Sequence, residues 1–168
     1  MKISVIGCGY LGAVHASAMA DLGHEVVGID VDDEKIGQLR AGKAPFFEPG
    51  LTEVLSSALA SGRLTFTTDI AQAAGAQVHF VAVGTPQARD SQAADLSYVD
   101  AAVTSLLPHL RAGDLVVGKS TVPVGTAARL ADMVAEQAPN AMLAWNPEFL
   151  REGFAVRDTI DPDRLVYG

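Results

Sequence analysis

The sequence predicts an α/β fold built on a doubly wound, mostly parallel sheet with helices on both faces. Short apolar runs rich in β-branched residues alternate with helical patterns along the chain, and this alternation is typical of parallel sheets. A glycine-rich turn joins the first apolar run to the first helix. The 168 residues are 49% hydrophobic and 19% charged, which is enough apolar material for one well-buried domain.

The predicted elements follow from hydrophobic spacing and length. In chain order they are strand 2–6, helix 11–22, strand 25–30, helices 33–41 and 51–60, strands 65–67 and 78–83, helix 98–108, strand 114–118, helix 124–137 and strand 142–145. The strands at 78–83 and 114–118 are short and β-branched, as central strands buried on both faces are. The closing residues 166–168 are predicted to form the last strand of the domain. Ligands of such sheets bind at the carboxyl ends of the strands, so the segments that follow the strands are candidates for one site.

Three glycines follow the first strand with the spacing G-x-G-x-x-G. Gly7 allows a tight turn, Gly9 lets the backbone approach a pyrophosphate, and Gly12 lets the helix pack close to the sheet. The N–H groups and the dipole at the start of the helix then attract the phosphates. This arrangement predicts a Rossmann-like dinucleotide site, although a glycine-rich turn that serves packing alone has the same spacing.

A carboxylate closes the second strand. Asp30 lies 18 residues after Gly12, close to the roughly 20 residues expected for an acid that accepts hydrogen bonds from ribose hydroxyls. Its negative charge disfavours a 2′-phosphate at that place. The predicted cofactor is therefore NAD rather than NADP.

Composition excludes several classes of function. A net charge of −8 without a basic cluster argues against nucleic acid as a partner. One cysteine allows neither an internal disulfide nor a multi-cysteine metal site. No metal is expected, because metal-ligand spacing is missing among the four histidines, which are His15, His24, His79 and His109. The N-terminus could be misread as a secretory signal, but the glycine spacing argues for a cytoplasmic protein without a membrane anchor.

Longer motifs make the prediction more specific. Read in order, they are the Gly9–Gly12 turn, Asp30 with Lys35, Phe47-Glu48-Pro49-Gly50-Leu51, Val83-Gly84-Thr85-Pro86, Ala94-Asp95-Leu96-Ser97-Tyr98-Val99, Lys119-Ser120-Thr121-Val122-Pro123-Val124-Gly125, Asn146-Pro147-Glu148-Phe149-Leu150-Arg151-Glu152-Gly153 and Asp161-Pro162-Asp163-Arg164. This series resembles the UDP-glucose/GDP-mannose dehydrogenase family over essentially the whole chain. The number and order of the motifs make chance agreement negligible.

The resemblance implies a set of cofactor contacts. The pyrophosphate loop would be Gly7, Cys8, Gly9, Tyr10, Leu11 and Gly12, the adenosine-ribose contacts would be Asp30 and Lys35, and further NAD contacts would be Val83, Thr85, Ser120, Thr121 and Glu152. Two alternatives stay open from the residues alone. Lys35 also fits an ordinary surface lysine, and the two threonines also fit turn capping before a proline.

The resemblance also implies a reaction. Such enzymes oxidise the C6 alcohol of a sugar nucleotide twice, reducing two NAD, through a thioester on a cysteine. Glu148 would be the acid/base residue, acting with Thr121 and a water, and the sugar-nucleotide side would be lined by Glu148, Phe149, Leu150, Arg151 and Glu152. From the residues alone, Pro147-Glu148 also suits the first turn of a helix. For Arg151 and Arg164 two roles stay open, a structural one and contact with phosphate.

One part of the family pattern is missing from the chain. The family's nucleophilic cysteine lies in a glycine-rich motif beyond residue 168, and Cys8, inside the phosphate loop, is not expected to replace it. We expect residues 1–168 to be the NAD-binding domain of a longer enzyme. This domain should bind NAD, should not turn over sugar nucleotide, and should be monomeric, whereas the full-length enzyme is expected to be a homodimer.

Alternatives remain for the substrate and for the class of protein. Residues 94–99 favour UDP-glucose over GDP-mannose or UDP-N-acetylmannosamine. A 3-hydroxyacid-type dehydrogenase opens with a similar loop, but the motifs at 119–123 and 146–150 argue against it. A nucleotide-sensing module without catalysis is the alternative from another class. The polar residues 87–95 are either a mobile loop that covers substrate or a solvated connector.

Overall fold

The computed structural model describes residues 1–89 and 91–168, and the fold is organised around one parallel sheet. Its six strands are β1 (Lys2–Ile6), β2 (Glu25–Ile29), β3 (Leu64–Thr67), β4 (Val78–Val81), β5 (Leu115–Gly118) and β6 (Met142–Trp145). They are ordered β3-β2-β1-β4-β5-β6, and every pair of neighbours is parallel. The strand order reverses between β1 and β4, which opens a crevice at their carboxyl ends. The predicted doubly wound sheet is confirmed.

The helices cover both faces of the sheet. They are α1 (Tyr10–Asp21), α2 (Asp33–Arg40), α3 (Leu51–Ala60), α4 (Ser97–Leu106), α5 (Thr126–Gln137) and α6 (Ala155–Ile160), with short 3-10 helices at Ile70–Ala73 and Leu107–His109. Apart from the strand predicted at 166–168, the predicted elements lie within two residues of these bounds. The sequence did not predict α6, because six residues are too few for a helical period to stand out. Within residues 1–89 and 91–168, no helix has the length and apolarity that a bilayer crossing requires.

Two predicted strands differ from the structure by more than one residue. The strand predicted at 78–83 ends at Val81, because the chain turns there toward the glycine loop, where the backbone nitrogen of Val83 lies close to Gly7. The strand predicted at 166–168 does not form. Gly168 only exchanges a pair of backbone hydrogen bonds with Trp145, at 2.7 and 3.0 Å, which is too short a pairing for a strand.

The apolar core lies on both sides of the sheet. On one side, α1 and α3 pack against the sheet, with Val14 and Leu55 fully buried, and on the other side α4 and α5 do so through Val103 and Leu130. Each such side chain stabilises the fold by about 1.5–3 kcal/mol on burial. The two helical layers leave the carboxyl edge of the sheet free for a site.

Trp145 fixes the end of β5. A side chain at Gly118 would overlap the indole ring, so glycine is required where the ring crosses the strand. The indole N–H donates a hydrogen bond of 3.0 Å to the backbone oxygen of Ser120. The segment that follows β5 is therefore held by the last residue of β6.

Candidate cofactor and active site

The glycine turn has the geometry of an anion cradle. Gly7 has a φ of +90°, and a side chain there would meet the backbone of Val83 at 2.8 Å, while one at Gly12 would overlap the carbonyl oxygen of Gly7. At Gly9, by contrast, no heavy atom of the described residues, apart from its chain neighbours, lies within 4 Å of the place where a Cβ would stand. Helix α1 begins at the next residue, and the N–H groups of its first turn have no acceptor within the helix. The residues therefore fit a pyrophosphate held by backbone groups.

Asp30 connects the end of β2 to this loop. Its Oδ2 accepts hydrogen bonds from the backbone N–H of Cys8 at 2.7 Å and from Lys35 Nζ at 2.9 Å, and its Oδ1 accepts from the backbone N–H of Asp32 at 3.0 Å. The carboxylate thus ties the end of β2 to the loop. The ammonium of Lys35 is ion-paired with Asp30 beside the loop, and 26% of the Lys35 side chain is exposed.

A cavity of about 660 Å³, the cofactor cavity, opens beside these residues. Apolar side chains such as Ile29, Ile70 and Ala102 form much of its wall, which suits a flat ring. Of the predicted cofactor residues, it is lined by Gly7, Gly9, Asp30, Lys35 and Val83. The other predicted contacts, including Thr85, Ser120, Thr121 and Glu152, do not line it.

Three hydroxyl residues of the prediction lie where β4 and β5 end. Ser120 Oγ donates to the backbone oxygen of Val83 at 2.6 Å, and Thr85 Oγ1 donates to the backbone oxygen of Thr121 at 2.9 Å. Thr85 therefore bonds across to the neighbouring segment rather than capping its own turn. Thr121 itself is exposed, so its hydroxyl faces solvent at the carboxyl edge.

Cys8 lies in the loop but turns its side chain inward. The side chain is fully buried in the core beside β2, and burial together with the charge of Asp30 raises the pKa of the thiol. Only its backbone is available to a ligand. A buried, protonated thiol is a poor nucleophile, which agrees with the expectation that Cys8 has no catalytic role.

Glu148 lies at a second cavity, also of about 660 Å³, on the opposite face of the sheet, hereafter the glutamate cavity. Its Oε2 is 2.8 Å from Lys119 Nζ, and its Oε1 accepts from the backbone N–H groups of Phe149 and Leu150 at 2.9 and 3.1 Å. Residues 146–150 are not helical. The alternative of an acid in a first helical turn is therefore wrong. The carboxylate is instead held at the end of β6.

Sequence reasoning missed Lys119 as a site residue, although it stands in a motif quoted for the resemblance. The side chain is buried, with 5% of its surface exposed, and Nζ contacts Glu148 and Asn146 Oδ1, the latter at 2.9 Å. The sequence did hold one signal for Lys119, its place directly after a predicted strand. Asn146 directly follows the next strand, and these strands, β5 and β6, are neighbours in the sheet.

The remaining predicted substrate residues have varied surroundings. The Arg151 side chain donates two hydrogen bonds to Asp158, at 3.0 and 2.8 Å, and its backbone N–H donates a third at 3.1 Å. Together they lower the pKa of Asp158 to about 2. Arg164 lies over the ring of Phe149 at 5.7 Å. Phe149, Leu150 and Arg151 line the glutamate cavity, whereas the exposed Glu152 lines neither cavity.

A buried carboxylate joins the phosphate loop to the segment before α6. Glu48 accepts hydrogen bonds from the hydroxyl of Tyr10 and from the backbone N–H groups of Gly153 and Ala155, the last two at 2.8 Å. Burial alone would raise the pKa of Glu48, but these donors more than offset it and lower the pKa. Burial and the bond to Glu48 raise the pKa of Tyr10 to about 12.

Comparison with known proteins places this geometry in context. A family model described as "UDP-glucose/GDP-mannose dehydrogenase family, NAD binding domain" matches residues 1–168. A UDP-glucose 6-dehydrogenase of Rhizobium meliloti is 48% identical over the whole chain, which covers 39% of that relative. The chain spans about two fifths of the length of the curated relatives it matches.

Two solved structures resemble the fold closely. A UDP-glucose dehydrogenase from Pyrobaculum islandicum superimposes with a TM-score of 0.91 at 49% identity, over 99% of this chain and 40% of that one. A GDP-mannose dehydrogenase from Pseudomonas aeruginosa, in a ternary complex, gives 0.93 at 35% identity, over 100% of this chain and 41% of that one.

Proposed function

The chain belongs to the UDP-glucose/GDP-mannose dehydrogenase family as its NAD-binding domain, and from that premise we propose that it serves an enzyme that oxidises UDP-glucose to UDP-glucuronate. The observation that carries the proposal is that two features lie along the same edge of the sheet. The glycine cradle with Asp30 lies at the ends of β1 and β2, and the fixed carboxylate of Glu148 follows β6. The similarity to UDP-glucose 6-dehydrogenases favours UDP-glucose over the family's other sugar nucleotides.

The cofactor side of the proposal rests on backbone groups and one ion pair. The loop at 7–12 would hold the pyrophosphate, and Asp30 with Lys35 would hold the adenosine ribose. Bound NAD supplies the hydride acceptor. Because Asp30 already accepts from the loop, ribose binding would share its oxygens with Cys8 and Lys35. A 2′-phosphate would meet this carboxylate, so NAD should be preferred.

Glu148 is proposed as the acid/base residue. A general base must hold its carboxylate within hydrogen-bond reach of the hydroxyl, or of a water, that loses the proton. The three donors on Glu148 support this role, because they fix the carboxylate before substrate arrives. Thr121 would complete the arrangement through a water at the end of β5.

The whole reaction needs residues that the chain does not supply. We propose two successive oxidations at C6 through a thioester on a cysteine outside residues 1–168, since Cys8 is buried in the core. The 168-residue domain would then bind NAD without turning over sugar nucleotide. A GDP-mannose or UDP-N-acetylmannosamine dehydrogenase would use the same domain, so the substrate must be tested directly.

Isothermal titration of the 168-residue chain tests the cofactor assignment. We expect NAD to bind more tightly than NADP, UDP-glucose to bind weakly or not at all, and Asp30→Ala to weaken NAD binding. Asp21→Ala, at the exposed far end of α1, is the matched control and should leave binding unchanged. A domain that binds none of these nucleotides would contradict the assignment.

Turnover by the full-length enzyme that carries this chain tests the substrate. Two NADH are expected per UDP-glucose, with much slower reaction of GDP-mannose and UDP-N-acetylmannosamine. A preference for GDP-mannose or UDP-N-acetylmannosamine would assign the enzyme to another branch of the family. NAD binding without turnover of any sugar nucleotide would favour a sensing module.

A further inference from the structure

We propose that Lys119 is a positioning residue that holds the Glu148 carboxylate in its reactive orientation. The inference rests on the proposed function, which gives Glu148 the acid/base role. It concerns a side chain that the comparisons do not single out, and it follows from burial, hydrogen bonding and backbone placement.

The burial of Lys119 is the first observation. Lysine is almost never fully buried unless its charge is paired, and here 5% of the residue surface is exposed. Two of the three ammonium hydrogens have acceptors, Glu148 Oε2 at 2.8 Å and Asn146 Oδ1 at 2.9 Å. Removing one partner of such a pair leaves the other charge buried without compensation. The ammonium and the carboxylate therefore depend on each other.

The second observation is how the carboxylate is held. Backbone N–H groups of Phe149 and Leu150 hold Oε1, and Lys119 is the side chain that holds Oε2. The backbone donors hold Oε1 only, so without Lys119 the carboxylate could still rotate about Oε1. Lys119 supplies the second point and so sets the plane of the carboxylate, which decides where its lone pairs point.

The backbone of Lys119 is itself tied to the sheet. Its N–H donates to Val81 at 2.9 Å, and its carbonyl oxygen accepts from the N–H of Glu148 at 3.3 Å. Gly118, the preceding residue, pairs with Trp145 in the β5–β6 register. The ammonium thus projects from a rigid strand end toward a carboxylate on the neighbouring strand end.

Within the residues that the structure describes, the other charged and titratable groups around the glutamate cavity form no ion pair or hydrogen bond with the Glu148 carboxylate. His15, from α1, is buried, and burial followed by the charge of Lys119 lowers its pKa to about 3, so it is neutral. Arg151 is paired with Asp158, and Arg164 lies over Phe149. Asp163 also lines the cavity. In the part of the chain that the structure describes, Lys119 is the cation that contacts Glu148.

Steady-state kinetics of the full-length enzyme with NAD and UDP-glucose provide the test, with Lys119→Met, Lys119→Arg and the exposed Lys43→Met as matched variants. Because general acid–base catalysis contributes about 10²–10⁴-fold, partial misplacement of Glu148 should lower kcat by about 10- to 100-fold in Lys119→Met. The KM for NAD should stay unchanged, and the acid limb of the kcat–pH profile should move to higher pH. Lys119→Arg should restore part of kcat and the position of the limb, and Lys43→Met should match wild type.

A double-mutant cycle separates positioning from a structural role. In a Glu148→Gln background, Lys119→Met should lower kcat by no more than about twofold, because the group through which it acts is already disabled. Full additivity of the two losses, or an unmoved pH profile in both Lys119 variants, would overturn the inference. Wild-type enzyme that turns over no sugar nucleotide would instead overturn the proposed function and this inference together.

Discussion

Tyr10 and Glu48, 38 residues apart, share a hydrogen bond that joins the phosphate loop to the segment leading into α6. Tyr10 opens α1 directly after Gly9, so a carboxylate buried under the glycine loop anchors the start of this helix. The same carboxylate accepts from Gly153, at the end of the segment that carries Glu148. The glycine loop and the segment that carries Glu148 therefore share one buried anchor.

Substitution of this anchor should destabilise the fold. In Glu48→Gln, an amide NH2 group replaces one carboxylate oxygen, and it faces N–H and O–H groups that are themselves donors. The loss of such buried hydrogen bonds costs about 1–3 kcal/mol. We expect the free energy of unfolding, measured by urea denaturation, to fall by this amount. Glu136→Gln, on the exposed end of α5, serves as control and should stay within about 0.5 kcal/mol of wild type. Equal stability of the two variants would refute the anchoring role.

Alanine substitutions at two glycines of the loop should have different effects, one on NAD binding and the other on folding. Gly9→Ala places a methyl group in open space at an ordinary φ of −68°, so the protein should fold normally while NAD affinity falls at least tenfold. Gly12→Ala drives the methyl group into the Gly7 carbonyl, so the fold itself should lose stability. Thermal unfolding and NAD titration on the same samples distinguish the two. Unchanged NAD affinity in Gly9→Ala would show that the pyrophosphate lies elsewhere.

His15 should make the protein acid-sensitive. Burial lowers the pKa of His15 from 6.5 to about 3, so the unfolded chain binds a proton in this range that the folded chain does not. Between those values the contribution of His15 lowers the free energy of unfolding by about 1.4 kcal/mol per pH unit as the pH falls. His15→Leu should remove that slope in denaturation curves measured from pH 7 to pH 4. His24→Leu should keep it.

Cys8 should be unreactive in the folded protein. Its thiol is fully buried and its pKa is raised, so a thiol reagent such as iodoacetamide needs global or local unfolding to reach it. We expect labelling, followed by mass spectrometry, only in denaturant, and we expect Cys8→Ala to bind NAD normally. Rapid labelling of the native protein would place the side chain outside the core.

Prediction from sequence succeeded where local chemistry determines the structure. The glycine turn, Asp30 at the end of β2 and the strand–helix alternation each leave a signal within a few residues, and the structure places all of them as expected. The contacts of Lys119 and Glu48 left no such signal, because their partners lie 27 or more residues away and are decided by strand order and loop packing. Burial of a charged side chain is a property of the assembled sheet, and the alternation of apolar residues does not encode it.

Trp145 gives the molecule a built-in optical probe. It is the sole tryptophan of the chain, buried over Gly118 and hydrogen-bonded to the backbone of Ser120, between the strand ends that carry Lys119 and Glu148. Its fluorescence emission comes from one environment, so a change in wavelength or intensity reports on this junction alone. Rearrangement of the β5–β6 edge on ligand binding can thus be followed in solution without a label.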